Sequence, residues 1–287
     1  MKTIVVSGGT DGIGKALAHT YLSRGERVAV VGRNLEKGKA FLAAAAETGA
    51  AARAFFIPAD LSLVAENHRV VAELEARFPV VDALVLCARH YRSARLETSE
   101  GLENTFALEY VSRYLLGHGL IASLERAERP VVVNVSGPGI PKGEIHWDDP
   151  GLAGGYSGGA AQTQAGRAND LLGVAFAAAH GAGPVKYVLV HPGAVATSFS
   201  GRYDAAAAAH VAAMKRTARP VAEAVVPIAA CIDDPPAEPL SAFVRGERIS
   251  VHHPSFDHTS ATRLLDLTRD LLAHVPGGGG ELPEVVG

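Results

Sequence analysis

Six short runs rich in valine, isoleucine and leucine recur along this 287-residue chain, and stretches with helical patterning separate them. Near-continuous apolar runs of this length are typical of strands that are buried on both faces. Because alternating strands and helices build βαβ units, the pattern predicts an α/β fold: a doubly wound parallel sheet with helices on both faces. The predicted strands are Thr3–Ser7, Arg27–Gly32, Arg53–Pro58, Asp82–Leu86, Pro130–Val135 and Lys186–Val190.

The segments between these runs predict the helices, and the composition predicts one domain. A chain with 48% apolar residues can bury one large core, so we expect a single domain over residues 1–275. The tail 276–287 has four consecutive glycines and no packable face, which predicts a flexible segment. The predicted helices are Ile13–Arg24, Leu35–Glu47, Leu61–Arg77, Glu100–Ala127 and Gln162–His180, then one opening at the alanine run 205–209, Pro220–Ile232 and Asp257–His274.

Charge and composition argue against several classes of partner. The formal charge is −3 at pH 7, and basic residues form no stripe that would bind nucleic acid or a membrane surface. The start of the chain lacks the apolar run of a secretory signal, and no apolar stretch is long enough for a membrane span. Cys87 and Cys231 have neither metal-site nor redox-motif spacing, so we expect buried thiols and no metal. These features predict a cytoplasmic protein without nucleic-acid or membrane partners.

The segment S-G-G-T-D-G-I-G at residues 7–14 follows the first predicted strand and opens the first helix, as a dinucleotide-binding turn does. Gly8 permits a tight turn, Gly12 lets the backbone approach a pyrophosphate, and Gly14 allows close helix packing. The N–H groups that begin the helix are then available to phosphate oxygens. We therefore predict a Rossmann-type fold whose cofactor loop comprises Gly8, Thr10, Asp11, Gly12, Ile13 and Gly14.

The second predicted strand leads into G-R-N at residues 32–34, which bears on the choice of cofactor. A carboxylate here would bind the ribose hydroxyls of NAD and repel a 2′-phosphate, whereas the Arg33 guanidinium can pair with that phosphate. Arg33 and Asn34 therefore favour NADP(H). Asp11 occupies a place in the glycine loop where a second basic residue would have strengthened this prediction.

The sequence resembles the short-chain dehydrogenase/reductase family, in particular its retinol-dehydrogenase-like branch. The resemblance spans about residues 3–200. It rests on S-G-G-T-D-G-I-G at 7–14, G-R-N at 32–34, D-L-S at 60–62, V-N-V-S at 133–136, K-G-E-I-H-W-D-D at 142–149 and H-P-G-A-V-A-T at 191–197.

This resemblance implies the remaining cofactor contacts. Asp60 and Leu61 would flank the adenine. Where the family usually has N-N-A-G after the fourth strand, this chain has L-C-A-R at 86–89, so Cys87, Ala88 and Arg89 would line the cofactor ribose. The nicotinamide would lie against Pro192, Gly193, Val195 and Thr197.

The four residues that carry out catalysis in the family are all replaced in this chain. In the family a tyrosine transfers the proton, a lysine four residues later tunes it, a serine orients the carbonyl and an asparagine supports a proton relay. Alignment of the motifs places Glu109 at the asparagine, Gly137 at the serine, Gln162 at the tyrosine and Gly166 at the lysine. The usual proton-transfer machinery is therefore absent, and no residue is assigned in its place.

Nearby side chains do not rebuild the missing motif. Tyr156 precedes Gln162 by six residues and has Ala160, not a lysine, four residues after it. Ser136 comes one residue before the serine position, and no pattern places His146 against a substrate. We predict instead that Ser136, Tyr156 and Gln162 line the substrate pocket.

A site without a proton donor restricts the acceptor of the hydride. Reduction of a ketone makes an alkoxide, and a positioned acid typically contributes about 10²–10⁴-fold to that rate. Hydride addition to a quinone makes a delocalised hydroquinone anion of phenol-like acidity, with a pKa of about 10, which water protonates later. The sequence therefore favours an NADPH-dependent reductase of a quinone or an activated aromatic ketone. Such an enzyme resembles the atypical reductases of aromatic-polyketide pathways, some of which act with a small partner protein in a two-component hydroxylation.

Two other hypotheses remain open. The first is a protein that binds NADP(H) without a redox step, as a cyclase, an isomerase or a sensor of cofactor ratio. The second is a conventional carbonyl reductase in which Tyr156 has become the acid. Because family members commonly form dimers or tetramers through their long helices, the resemblance also implies a homo-oligomer.

Overall fold

Seven parallel strands and one antiparallel edge strand form the central sheet of the computed structural model, which describes residues 1–275. The strands are β1 (Thr3–Ser7), β2 (Arg27–Gly32), β3 (Ala54–Pro58), β4 (Ala83–Leu86), β5 (Tyr91–Arg92), β6 (Val131–Val135), β7 (Lys186–His191), β8 (Gly201–Arg202), β9 (Leu240–Val244) and β10 (Glu247–Ile249). Their order in the sheet is β10-β9-β7-β6-β4-β1-β2-β3, while β5 pairs separately with β8. The doubly wound parallel sheet is confirmed, and the six predicted strands form within one residue of their predicted bounds.

Helices cover both faces of this sheet. They are α1 (Gly12–Ser23), α2 (Leu35–Glu47), α3 (Val64–Arg77), α4 (Asn104–Phe106), α5 (Ser112–Gly119), α6 (Ile121–Leu124), α7 (Gly158–His180), α8 (Ala205–Thr217), α9 (Val221–Asp233) and α10 (His258–Ala273). A π-helical turn, Ala107–Val111, joins α4 to α5. Within residues 1–275, no helix is both long enough and apolar enough to cross a lipid bilayer.

The two faces of the sheet bury separate apolar layers. On β1, Val5 faces the layer formed by α3, α5, α7 and α10, whereas Ile4 and Val6 face the layer formed by α1, α2 and α9. This alternation follows from the two-residue period of a strand, and burial on both faces explains why the strands are apolar runs. The parallel strands therefore end at one edge, where their connecting loops meet.

The helix predicted over Glu100–Ala127 forms in part: it begins at Asn104, contains the π-helical turn Ala107–Val111 and ends at Gly119, and the short helix α6 follows. The Glu103 side chain caps α4, accepting hydrogen bonds from the backbone N–H groups of Thr105 and Phe106 at 2.8 and 2.7 Å. Within the π-helical turn, the carbonyl oxygen of Glu109 accepts a hydrogen bond from Asn169 Nδ2 at 2.8 Å. That donor comes from α7, so the local sequence does not reveal the interruption.

The sequence did not predict the β9–β10 edge of the sheet, whereas the final helix forms close to its predicted bounds. α10 packs on α7 through buried Leu264, Leu265 and Leu272. Its Thr268 Oγ1 lies 2.6 Å from Tyr110 Oη, which ties α10 to the π-helical turn. The predicted flexible tail, 276–287, lies outside the described residues.

A buried carboxyl group on α7 makes stability depend on pH. Asp170 Oδ2 accepts a hydrogen bond from the backbone N–H of Gly139 at 3.0 Å and lies 4.0 Å from Arg167 Nε. Burial raises the pKa of Asp170 from 3.8 to about 7. Between these values the folded protein binds a proton that the unfolded chain has lost, so this group's contribution to stability falls as pH rises from about 4 to 7.

We expect Asp170→Asn to remove this pH dependence. Relative to the variant, the wild-type protein should lose free energy of unfolding on the order of 3 kcal/mol between pH 4 and pH 7.5. Urea unfolding of both proteins across this range measures the difference, with Asp266→Asn, an exposed carboxylate on α10, as the control. Parallel stability profiles for the wild type and Asp170→Asn would contradict the assignment.

Candidate active site

The glycine loop between β1 and α1 is closely packed, as a nucleotide-binding turn requires. Gly8 and Gly12 have φ angles of +69° and +51°, a region that favours glycine. A Cβ atom on Gly8 would lie 2.8 Å from the Cα of Ala88, and one on Gly14 would lie 2.5 Å from the carbonyl oxygen of Gly8. The backbone can therefore approach a pyrophosphate at the start of α1, and these residues fit the predicted cofactor.

Two basic side chains lie beside this loop. Arg33 follows β2, and its Nη1 lies 4.0 Å from Asp60 Oδ2. Lys37 lies in the first turn of α2, where Asn34 Oδ1 accepts a hydrogen bond from the Lys37 N–H at 2.9 Å, and its ammonium group pairs with Asp11. Lys37 was not among the residues predicted from the sequence. Its place three residues after a capping asparagine is the signal that could have found it.

Asp11 joins three segments of the site. Its Oδ1 accepts a hydrogen bond from the Gly12 N–H at 2.7 Å, and its Oδ2 accepts one from Ser198 Oγ at 2.8 Å and also pairs with Lys37. Burial acts to raise the pKa of Asp11, but hydrogen bonds from Lys37, Ser198 and Gly12 outweigh it and hold the pKa below its usual value. The acidic residue that weakened the prediction of NADP(H) is therefore paired with a lysine.

Further positive charge gathers where β5 pairs with β8. Arg92 and Arg202 are direct neighbours in that pairing. Burial, followed by the charges of Arg33, Arg92 and Arg202, lowers the pKa of His90 to about 4. Three guanidinium charges act on the His90 imidazole and one carboxylate, that of Asp60, opposes them, so the local potential is positive and favours an anionic ligand.

The segment after β7 lies opposite the glycine loop, as the resemblance implies. If Gly12 carried a Cβ atom, that atom would lie 3.0 Å from the Thr197 side chain. Val195 pairs with Arg219, just before α9, in an isolated parallel β-bridge, and Gly193 has a φ angle of +89°. The turn that begins at Pro192 thus brings Val195 and Thr197 towards the start of α1.

The other predicted cofactor residues lie at the ends of β3 and β4. Asp60 Oδ1 accepts hydrogen bonds from the Ser62 N–H and Oγ at 3.0 and 2.7 Å, and Leu61 is buried. After β4, Ala88 is buried against Gly8, and burial raises the pKa of the Cys87 thiol to about 12. The Cys87 thiol is therefore protonated and neutral at physiological pH.

The positions assigned to the family's asparagine and tyrosine contact each other, and an arginine joins them. Gln162 Oε1 accepts hydrogen bonds from Arg89 Nε at 2.8 Å and from Arg89 Nη2. Gln162 Nε2 donates to Glu109 Oε1 at 2.8 Å, and Arg89 Nε lies 3.6 Å from Glu109 Oε2. We call Arg89, Gln162 and Glu109 the polar cluster.

The two glycine positions also lie together, beneath an apolar side chain. A Cβ on Gly166 would be 4.0 Å from the carbonyl oxygen of Gly137 and 3.8 Å from Ile140 Cδ1, while a Cβ on Gly137 would be 2.8 Å from that same carbon. Ile140 therefore packs where serine and lysine side chains would project. The neighbouring Ser136 Oγ is buried and has no hydrogen-bond partner within residues 1–275.

Tyr156 and His146, the remaining candidate residues, make hydrogen bonds with residues outside the polar cluster. Tyr156 Oη donates to the carbonyl oxygen of Arg92 at 3.1 Å and lies 3.4 Å from Thr105 Oγ1, and burial raises its pKa. A raised pKa is the opposite of what a neighbouring lysine produces. His146 donates its backbone N–H to Gln164 Oε1 at 2.9 Å. The Tyr156 hydroxyl is therefore engaged outside the polar cluster.

Comparison with known proteins decides the family. A family model for short chain dehydrogenases matches residues 2–147, which is half of the chain. The chain belongs to the short-chain dehydrogenase family of oxidoreductases. A Streptomyces protein provisionally named as a daunorubicin C-13 ketoreductase is 28% identical over 267 residues, 92% of this chain and 90% of that protein.

Other similarities are shorter or lie in the fold alone. The chain spans 36% to 61% of the length of three other curated relatives, among them an oxidoreductase of Saccharomyces cerevisiae that is 31% identical over 42% of this chain. Among solved structures, an NADPH-bound carbonyl reductase from chicken fatty liver has a TM-score of 0.65 at 15% identity. That match covers 87% of this chain and 99% of the reductase, and it shows the shared fold.

We expect alanine at the lysine position of α7 to stabilise the protein. Gly166→Ala should raise the free energy of unfolding by about 0.5–1 kcal/mol, because glycine is unfavourable within a helix and the new Cβ has no close contact. Gly173→Ala, on the same helix, is the matched control and should destabilise, since its Cβ would lie 2.9 Å from Leu240 Cδ1. Urea unfolding measures both changes; a loss of stability in Gly166→Ala would show that this glycine is needed for packing.

Proposed function

We propose that the protein is an NADPH-dependent reductase that transfers a hydride to a quinone or an activated aromatic ketone of the polyketide type. The observation that carries the proposal is the polar cluster. At the position that the alignment assigns to the family's proton donor, this cluster holds an amide, a carboxylate and a guanidinium, and the glycine loop is packed as a cofactor turn requires. When bound there, NADPH supplies the hydride.

The chemistry of the polar cluster explains the preference for a quinone. The Gln162 amide and the Arg89 guanidinium do not release a proton at physiological pH, so neither replaces a tyrosine as an acid. A ketone would therefore lose about 10²–10⁴-fold in rate, whereas a quinone needs no protonation during hydride transfer. The chain's contribution is to hold the acceptor at reacting distance and to stabilise the charge that forms on it.

Two comparisons support this proposal. The Streptomyces relative that matches along nine tenths of its length is provisionally named as a daunorubicin C-13 ketoreductase, and the chicken reductase binds NADPH. We further propose that the reduced product is passed to oxygen with a small partner protein, so that this chain is the reductase half of a two-component hydroxylation. We also propose a homo-oligomeric assembly, as the resemblance to the family implies.

One alternative function also fits the replaced residues. A protein that binds NADP(H) without a redox step, as a cyclase, an isomerase or a cofactor sensor, needs the same cradle and no proton donor. NADPH deuterated at C4 of the nicotinamide separates the two functions. Loss of the label to the acceptor, or to solvent as a quinol reoxidises, occurs only if hydride is transferred.

We expect the purified protein to oxidise NADPH anaerobically when an anthraquinone is added. An aliphatic ketone should react at least about 100-fold more slowly, because its alkoxide product needs an acid. Tyr156→Phe should keep most of the quinone activity, since the Tyr156 hydroxyl is bound to a backbone carbonyl. Unchanged nicotinamide absorbance over a panel of quinones would refute the reductase, and abolished turnover in Tyr156→Phe would favour a conventional reductase with a relocated acid.

We expect Arg33 and Lys37 to select NADPH over NADH. Arg33→Gln and Lys37→Gln should each raise the Kd of NADPH by about 10-fold or more and leave that of NADH nearly unchanged, because a charged hydrogen bond to the 2′-phosphate is lost. Calorimetric titration with both nucleotides measures this, and Lys39→Gln, an exposed lysine of α2, is the control. Equal losses for the two nucleotides would place these residues away from the 2′-phosphate.

A further inference from the structure

Arg89 stands where the family usually has glycine, and it carries a guanidinium to the position of the proton donor. Arg89 follows β4, and the segment around it is fixed by the packing of Ala88 on Gly8. Its side chain reaches Gln162 on α7, 73 residues further along the chain. A side chain absent from the family pattern is therefore bound directly to the residue that replaces the tyrosine.

The polar cluster fixes the direction of each of its groups. The Gln162 carbonyl faces the guanidinium and its amide nitrogen faces Glu109, which is the one orientation that satisfies both neighbours. The Glu109 side chain is 7% exposed, whereas that of Arg89 is 62% exposed. Glu109 and Gln162 thus hold the guanidinium from the protein side, and the open edge of Arg89 is left for a ligand.

The exposed edge of the Arg89 guanidinium carries N–H groups that can donate hydrogen bonds to a ligand. An arginine has five N–H groups in a planar fork, and Gln162 engages those on Nε and Nη2. Within residues 1–275, Arg89 Nη1 has no hydrogen-bond partner. Burial lowers the pKa of nearby His191, and the charges of Arg89 and Arg245 lower it further. Burial raises the pKa of Tyr203, and the charge of Arg89 acts against that increase.

Tyr203, on which the charge of Arg89 acts, belongs to a stacked pair of tyrosines. The rings of Tyr91 and Tyr203 stack with their centroids 5.0 Å apart and an interplanar angle of 11°. Tyr203 also lines a cavity of about 520 Å³ together with His90, Phe199 and Lys215. Flat aromatic side chains beside a guanidinium suit a planar ligand that carries negative charge at its edge.

We propose that Arg89 is the oxyanion-binding residue of this enzyme, donating hydrogen bonds from Nη1 to the oxygen of the hydride acceptor. The inference deepens the proposed reductase function and rests on it. The quinone accepts a hydride, which brings two electrons and one proton, and becomes a hydroquinone monoanion as NADPH becomes NADP⁺. Arg89 keeps all its protons and pairs with the new phenolate. Water supplies the second proton after transfer.

This role explains why an arginine serves where the family uses an acid. A guanidinium cannot be deprotonated at working pH, so it stabilises an anion without transferring a proton. The stabilisation is useful only when the anion is weakly basic, as a hydroquinone anion is. Arg89 therefore sets the substrate class: quinones are accepted, and simple ketones, whose alkoxides need a proton, are not.

The first test is turnover of an anthraquinone with NADPH in the full-length protein. Arg89→Gln should lower kcat by about 10²–10³-fold, the loss typical of removing one oxyanion donor. The kcat of Arg89→Lys should lie between those of the wild type and Arg89→Gln. The loss of kcat in Arg89→Gln should be largest for acceptors with the most basic hydroquinone anions. Arg129→Gln, an exposed arginine paired with Asp234, is the matched control and should behave as wild type.

Fold integrity is checked separately. Thermal unfolding should give Arg89→Gln a midpoint within about 4 °C of the wild-type value, because the Arg89 side chain is mostly exposed. Arg89→Gly, the residue usual in the family, should show the same kinetic defect as Arg89→Gln if the guanidinium matters rather than the packing of its stem. Full activity in either variant would overturn the proposal.

The second test needs no turnover. A nitrophenol whose phenolate absorbs visible light is titrated against the protein with NADP⁺, and its pKa in the complex is read from the spectrum. The wild type and Arg129→Gln should lower that pKa by about one unit or more, a tenfold preference for the phenolate, and Arg89→Gln should abolish the shift. No shift in the wild type would overturn the oxyanion site, even if quinones are reduced. A shift without any quinone reduction would keep the site and refute the reductase.

Discussion

The guanidinium of Arg113 holds together the edge of the sheet on which the site is built. It is fully buried on α5, where burial lowers its pKa, and it donates to Asn134 Oδ1, to the carbonyl oxygen of Val135 at 3.1 Å and to that of Ala88 at 3.2 Å. A buried charge is tolerated only when nearby acceptors replace water. The ends of β4 and β6 are therefore fixed to α5, and Arg89 projects from the chain directly after one of these contacts.

The same network continues to residues at the positions that the sequence alignment assigned to the family's catalytic groups. Asn134 Nδ2 donates to Asn169 Oδ1 at 2.7 Å, and Asn169 Nδ2 donates to the carbonyl oxygen of Glu109 at 2.8 Å. The second bond joins α7 to the π-helical turn, so the Gln162 face of α7 is brought against the Glu109 side chain. The buried network of Arg113, Asn134 and Asn169 thus orients the residues of the polar cluster. That ordering favours a site with altered chemistry over a disused one.

Local patterns predicted the parts of this structure whose causes are local. Buried parallel strands must be apolar runs, so β1 and β2 were placed with their observed bounds, and the turn at Gly8 needs a residue without a side chain. The resemblance supplied the positions of Glu109 and Gln162. It did not reveal that Arg89 joins them, nor that Lys37 pairs with Asp11. Those contacts connect segments tens of residues apart. β9 lies next to the edge strand β10, and its sequence has no strong apolar pattern.

The replacements in this site depend on one another physically. A nearly buried Glu109 carboxylate would be costly alone, and the donors of Gln162 and Arg89 compensate it. Residue 166 lies one helical turn after Gln162 on the same face of α7, so a lysine there would bring a second positive charge towards the side that contacts Arg89. Glycine at that position avoids the repulsion, and Ile140 fills the space. Restoring the lysine alone would therefore set two cations against each other, because the three side chains of the polar cluster act as one unit whose substitutions are not additive.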